Sequence, residues 1–143
     1  EPVMNDELVL IVPVGHPFAS RDEVTIAEVA KEPLVLRESG SGTRQVMVEE
    51  MERHGVKEDQ LRIVSDFGSN GAVKSAVEAG LGLSFLSVWS IKNESALGIL
   101  KPVRIEGVRF RRQFYAVRPK TSDLPLHAAV LLEYLRGLTN ESS

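Results

Sequence analysis

The chain has 143 residues, 43% of them hydrophobic and 26% charged, with a formal net charge of −3. That composition fits one globular domain with a real core, and its mild acidity argues against a whole-domain nucleic-acid surface. Cysteine is absent, which excludes disulfides and thiolate metal sites, and no apolar run approaches the roughly 20 residues of a spanning helix. No secretory signal opens the chain, and the whole pattern fits the cytosol. Glu1-Pro2-Val3 offers no initiator methionine and leads almost at once into a strand, so the chain is expected to be a fragment of something longer.

Leu8-Val9-Leu10-Ile11-Val12 is a continuous apolar run ended by Pro13, the pattern of a strand buried on both faces, as in parallel sheets. Thr25-Ile26-Ala27-Glu28 matches a capping box, so a short helix is expected to start there and stop before Pro33. Pro33 to Leu36 reads as the next buried strand. It feeds a small loop, Arg37-Glu38-Ser39-Gly40-Ser41-Gly42-Thr43-Arg44, and a helix beginning near Thr43. That helix places Val46, Met47, Met51 and His54 on one side and ends at Gly55, a suitable residue just past a helix end.

Leu61 to Val64 reads as a strand, Gly68-Ser69-Asn70 as a second polar helix start, and Ala72, Val73, Ala76 and Val77 as that helix's inner side, with Gly80 closing it. Leu83 to Leu86 is a further short strand. This alternation predicts βαβ units and a mostly parallel sheet flanked by helices. Val88 to Ala96 then suits a short helix, Leu100 to Ile105 an extended segment and Arg109 to Val117 a strand of mixed polarity. Asp123-Leu124-Pro125 opens a last helix with Ala128, Leu131, Leu132 and Leu135 at helical spacing. A boundary between Gly98 and Gly107 follows from the end of the regular alternation.

The loop at 37–44 carries the most chemical information. A glycine-loosened loop opening onto a helix start offers free backbone N–H groups, hydroxyls and the positive end of the helix dipole to a small anion. It is not a P-loop, because no Gly-Lys-Ser/Thr follows, and it fails the dinucleotide fingerprint, because Gln45 stands where a glycine is needed. A helix cap needs one hydroxyl; this loop has three, Ser39, Ser41 and Thr43. An ordinary capped turn and an anion cradle both remain open for it. Ser69 and Asn70 form a second polar helix start at the end of the next strand, and Ser87 follows the strand after that, so all three share one sheet edge. Ligands of open parallel sheets gather outside those strand ends. Ser69 by itself is more simply an N-cap.

His16, His54 and His127 are far apart in sequence, so no metal site is expected, and His54 suits a helix C-terminus. There is no Gly-x-Ser-x-Gly elbow, and Glu38 is a lone carboxylate without a second catalytic group, so catalytic residues, cofactors and enzyme activity are not expected. Lys101, Arg104, Arg109, Arg111, Arg112, Arg118 and Lys120 make a basic stretch opposed only by Glu106. With little aromatic interleaving, it reads as solvated strand faces or an assembly contact rather than a nucleic-acid patch.

Taken together, Leu8 to Ala19 (LVLIVPVGHPFA), Pro33 to Arg44 (PLVLRESGSGTR) and Gly68 to Ser87 (GSNGAVKSAVEAGLGLSFLS) resemble the effector-binding domain of LysR-type transcriptional regulators. No single block is unique; their order and spacing are what is specific. The fold is shared with type 2 periplasmic binding proteins, but the Gly15-His16-Pro17 segment and the ESGSGTR block look like the regulators. The resemblance implies two α/β lobes with an effector in the cleft between them. Residues 1–98 would be the second lobe with its entering crossover strand, and residues 99–143 the return crossover and the C-terminal part of the first lobe.

By the same resemblance, effector contacts fall on Ser39, Ser41 and Thr43, and on Ser69, Asn70 and Ser87. The family's DNA-binding domain, its dimerising linker helix and the opening part of the first lobe are missing from these residues. DNA would then be reached only through a domain absent here, one cleft wall would be incomplete, and the stretch from about Leu100 to Leu138 would expose apolar surface unless a partner covers it. The function implied is an effector-sensing module binding a small anionic metabolite, working as a cytoplasmic homo-oligomer with no membrane partner. Sulfate, aromatic acids, amino-acid derivatives and sugar phosphates all suit such a loop. Two rivals share the cleft: a solute-binding protein of a transport system, and a dehydratase-like enzyme.

Overall fold

A computed structural model describes residues 2–115 and 126–141. The elements in chain order are β1 (Pro2–Pro13), β2 (Glu23–Val24), α1 (Ile26–Ala30), β3 (Pro33–Arg37), α2 (Gly42–Arg53), β4 (Arg62–Phe67) and α3 (Asn70–Glu78). They continue with β5 (Ser84–Ser87), α4 (Lys92–Ala96), β6 (Leu100–Ile105), β7 (Phe110–Tyr115) and α5 (Leu126–Glu141). Short 3-10 turns at Pro17–Ser20 and Glu58–Gln60 fill two of the connections. The expected end of β7 at Val117, the helix opening at Asp123-Leu124-Pro125, and Arg118 and Lys120 lie outside the described residues.

Local chemistry sets most element ends. Thr25 caps α1 through a reciprocal capping box with Glu28, the Thr25 hydroxyl accepting from the Glu28 N–H at 3.2 Å. Gly55 and Gly80 take φ of 86° and 80° just past the ends of α2 and α3, a conformation that costs glycine little and other residues more. The helix expected over 88–96 is shorter. Ser87 starts a turn, its hydroxyl accepting from the Trp89 N–H at 3.2 Å and its carbonyl from the Ser90 N–H at 3.0 Å, so α4 begins only at Lys92.

The class is α/β, as the alternation implies, but the sheet is mixed rather than mostly parallel. β3 and β4 are parallel, and a parallel bridge joins Leu34 of β3 to Leu83 at the start of β5. β1, however, runs antiparallel to both β5 and β6, with Leu10 opposite Phe85 on one side and Val103 on the other. An apolar run reports burial on both faces and carries no information about direction. The burial itself is as read: Leu8, Leu10 and Val12 enter a core with Met47, Met51 and Phe85, whereas Val9 and Ile11 enter a second one with Val73, Val77 and Leu86. Each such fully buried side chain contributes about 1.5–3 kcal/mol.

The chain divides into two compact units, Glu7–Phe110 and Glu1–Asp6 with Arg111–Ser143. The first therefore includes the 98/99 division expected from sequence. β6 belongs to it because Leu100, Val103 and Ile105 are core residues, held by pairing with β1 and, in parallel, with β2. In the other unit the carboxylate of Asp6 is almost fully buried and accepts from Arg112 Nε at 3.0 Å. Along α5, Val130, Leu131 and Tyr134 are exposed, while Leu132 and Leu135 are half-buried. No helix among the described residues is long and apolar enough to cross a membrane.

Candidate anion site at the C-terminal edge of strands β3 and β4

β3, β4 and β5 point the same way, so the residues leaving them lie at one edge of the sheet. From β3 the chain enters the 37–44 loop, from β4 it enters Gly68-Ser69, and from β5 it reaches Ser87. The first two exits are stitched together by backbone: the Glu38 N–H donates to Phe67 O at 3.0 Å.

Ser41 is the N-cap of α2, buried, its hydroxyl accepting from the Arg44 N–H at 3.5 Å. Thr43, in the first turn, is buried as well, and Ser39 is exposed at the loop's outer side. Ser69 is the N-cap of α3, exposed, with its hydroxyl accepting from the Ala72 N–H at 3.1 Å. Both helix starts thus aim their remaining N–H groups at the same strand edge, where partial positive charge favours an anion.

The six serine, threonine and asparagine positions are joined by two arginines that the pattern reading passed over. Arg37, the last residue of β3, donates from Nη1 to Asn70 Oδ1 at 2.6 Å and from Nη2 toward Gly68 O at 3.5 Å. Its Nε and Nη2 both donate to the carboxylate of Glu38, each at 3.1 Å. That guanidinium ties the 37–44 loop to the start of α3, bringing Asn70 to the loop of Ser39, Ser41 and Thr43. Arg44 lies beneath, with only 9% of its side chain exposed, donating from Nη1 to Arg37 O at 3.0 Å and from Nη2 to Glu58 Oε1 at 2.7 Å. A buried arginine whose donors end on a backbone carbonyl and a carboxylate positions the loop. Arg37 and Arg44 stood in view as the ends of the loop. A one-dimensional pattern does not tell a solvated arginine from one that crosses to another strand's exit.

Ser87 shares the edge by strand direction, but its hydroxyl is engaged with the turn into α4. The Arg37 fork holds the Glu38 carboxyl below the usual carboxylate range, helped by a backbone hydrogen bond.

The other candidates resolve into local roles. His16 caps the 3-10 turn at Pro17, Nδ1 accepting from the Phe18 N–H at 3.0 Å, and its Nε2 lies 3.3 Å from Glu32. His54 caps the C-terminus of α2. In the basic stretch, Lys101 donates to Ala19 O, Arg109 lies 3.6 Å from Glu7, and Arg112 pairs with Asp6 while stacking 4.9 Å over Phe114. Those three side chains have partners within the protein.

The family model for the LysR substrate binding domain matches residues 1–139. The chain belongs to this family. It is 33% identical over 132 residues to the HTH-type transcriptional activator CmpR of Synechocystis sp., covering 92% of this chain and 42% of that protein. To the HTH-type transcriptional regulator CbbR of Xanthobacter flavus it is 37% identical over 128 residues, 89% of this chain and 38% of that protein. This LysR-family chain therefore spans about two fifths of the length of these curated relatives. Among solved structures, the Synechocystis PCC6803 CcmR regulatory domain, in complex with 2-PG, superimposes with a TM-score of 0.81 at 30% identity, over 97% of this chain and 65% of that one. The effector binding domain of QuiR, in complex with shikimate, gives 0.76 at 17% identity over 98% of this chain and 64% of that one, a likeness of fold alone. The named relatives are transcriptional regulators, which favours a regulator domain over the transport and enzyme rivals.

Proposed function

We propose that this chain is the effector-sensing part of a LysR-type transcriptional regulator and that the edge at Ser39, Ser41, Thr43, Ser69 and Asn70 receives a small anionic metabolite. Ser87 belongs to the same proposal as a flanking position. The observation that carries it is the Arg37 bridge to Asn70, which joins two capped helix starts at one strand edge. Two helix N-termini and a guanidinium supply N–H donors and positive charge along one strand edge. The 2-PG in the CcmR relative is a small anion of the kind such a site would take.

In the complete protein, occupancy would bias the two lobes toward one arrangement and so alter a cytoplasmic homo-oligomer's grip on DNA, held through a domain outside these residues. The compact unit Glu7–Phe110 plays the second lobe in this reading. A binding domain of this sort needs no cofactor and turns nothing over.

A thermal-shift screen of sulfate, phosphate, 2-PG and aromatic carboxylates tests the proposal. A ligand at 100 times its dissociation constant should stabilise the protein by about 2.7 kcal/mol. Thr43→Ala and Asn70→Ala should each shrink that ligand-dependent gain. A full-sized gain in both variants would move the ligand away from this edge.

A further inference from the structure

Two guanidiniums reach the edge, and they differ in what their donors do. Arg44 is committed: its Nη1 and Nη2 end on the Arg37 carbonyl and on Glu58, and its side chain is 9% exposed. Arg37 is 20% exposed and spends its Nη1 on Asn70. The remaining side of its fork, Nε with Nη2, is the pair of parallel donors that fits a carboxylate or phosphate with two oxygens. That side is taken by the two oxygens of Glu38.

Glu38 is well placed to give way. Its backbone is fixed, the N–H on Phe67 O at 3.0 Å and the carbonyl accepting from Ser41 N at 2.9 Å, so the loop keeps its shape whatever the side chain does. The side chain itself is 45% exposed, with solvent to turn into. An ion pair so exposed is weak and exchangeable. A carboxylate held by Arg37 is also a negative charge beside two helix N-termini, where it opposes any second anion.

Resting on the anion-site reading above, we propose that Glu38 is an internal competitor for the Arg37 fork. An incoming oxyanion takes over Nε and Nη2 as the Glu38 side chain swings to solvent, and Asn70 keeps the guanidinium in place through the exchange. Glu38 then sets the concentration at which the site fills, and an oxyanion offering two oxygens, carboxylate or phosphate, is the class that makes the exchange.

Titration of the whole chain with inorganic phosphate and with acetate, followed by calorimetry and by the Arg37 Nε–H signal in NMR spectra, tests this. Glu38→Gln keeps the shape and removes the charge, so it should bind either anion about fivefold more tightly than the unaltered protein. Glu49→Gln, an exposed α2 residue with the same change in net charge, should leave affinity where it was. Arg37→Gln should lose the binding. Tightening by phosphate alone would assign the exchange to phosphates. If the unaltered protein binds and Glu38→Gln binds no better, the competitor role is wrong while the anion site stands. If neither binds either anion, both fail. Should Arg37→Gln not fold, the Glu38→Gln affinity and the Arg37 Nε–H shift decide the matter by themselves.

Discussion

The starts of α2 and α3 have the same local grammar and opposite surroundings. Each follows a parallel strand, carries a glycine and is capped by a serine hydroxyl on a backbone N–H three residues on. At α2 the cap and the first turn are buried: Ser41 and Thr43 are 8% exposed and Arg44 is 9% exposed. At α3 Gly68, Ser69 and Gly71 are exposed, and Arg37 is the described side chain that fastens the loop, through Asn70 and Gly68. The polar residues of one wall are thus built into the core, and those of the other are exposed and held by the Glu38–Phe67 backbone bond and the Arg37 guanidinium. Two signals of the same kind, a serine cap beside a glycine, can yield a buried surface and an exposed one, according to what lies beneath.

The sharpest way to break that contrast is Arg44→Ala. It strips the Arg37 carbonyl of a donor and leaves Glu58 without its partner, so unfolding in urea should show a loss of about 2 kcal/mol. A loss below half that size would mean that α2 is not anchored from below. Ser41→Ala comes next, at about 1 kcal/mol, because the N–H it leaves behind is buried. Ser69→Ala should cost about 0.5 kcal/mol, the low end for an N-cap, since water replaces the hydroxyl at an exposed helix start. Equal losses at the two serines would erase the distinction between the walls.

The smallest effect is electrostatic. Glu38 has its carboxyl lowered in the folded protein by the Arg37 fork, so the stability it adds is present above the unfolded carboxylate pKa and is lost as pH falls through the lower folded value. Glu28, lowered chiefly by Arg21, behaves in the same direction. In NMR titrations Arg37→Gln should raise Glu38 toward the ordinary glutamate range, with the backbone hydrogen bond keeping part of the lowering, and leave Glu28 unmoved. A Glu38 titration unchanged by that substitution would remove the fork as its cause.

Much of the fold was legible along the chain. The Thr25–Glu28 capping box, the glycines at 55 and 80 and the buried periodicity of Val73, Ala76 and Val77 are local rules acting over a few residues, and they appear where those rules put them. The extent of β4 was harder to see. Ser65, Asp66 and Phe67 continue it past Val64 because pairing with β3 runs on to Arg37, while its own side chains stay largely exposed and leave no apolar signature. Similarly, β2 is two residues long, and only β6 beside it makes it a strand.

For the site, the two polar helix starts, their serine caps and the lack of any thiolate follow from hydroxyl spacing, glycine placement and composition, which are properties of the chain. Only long-range packing makes β1 run against its neighbours, buries Arg44 under the loop, and lets Arg37 join Glu38 to Asn70 across the exits of two strands. The reason is separation. Arg37 and Asn70 are 33 residues apart, and nothing in either residue's neighbourhood specifies the other until parallel pairing of β3 and β4 sets their ends side by side.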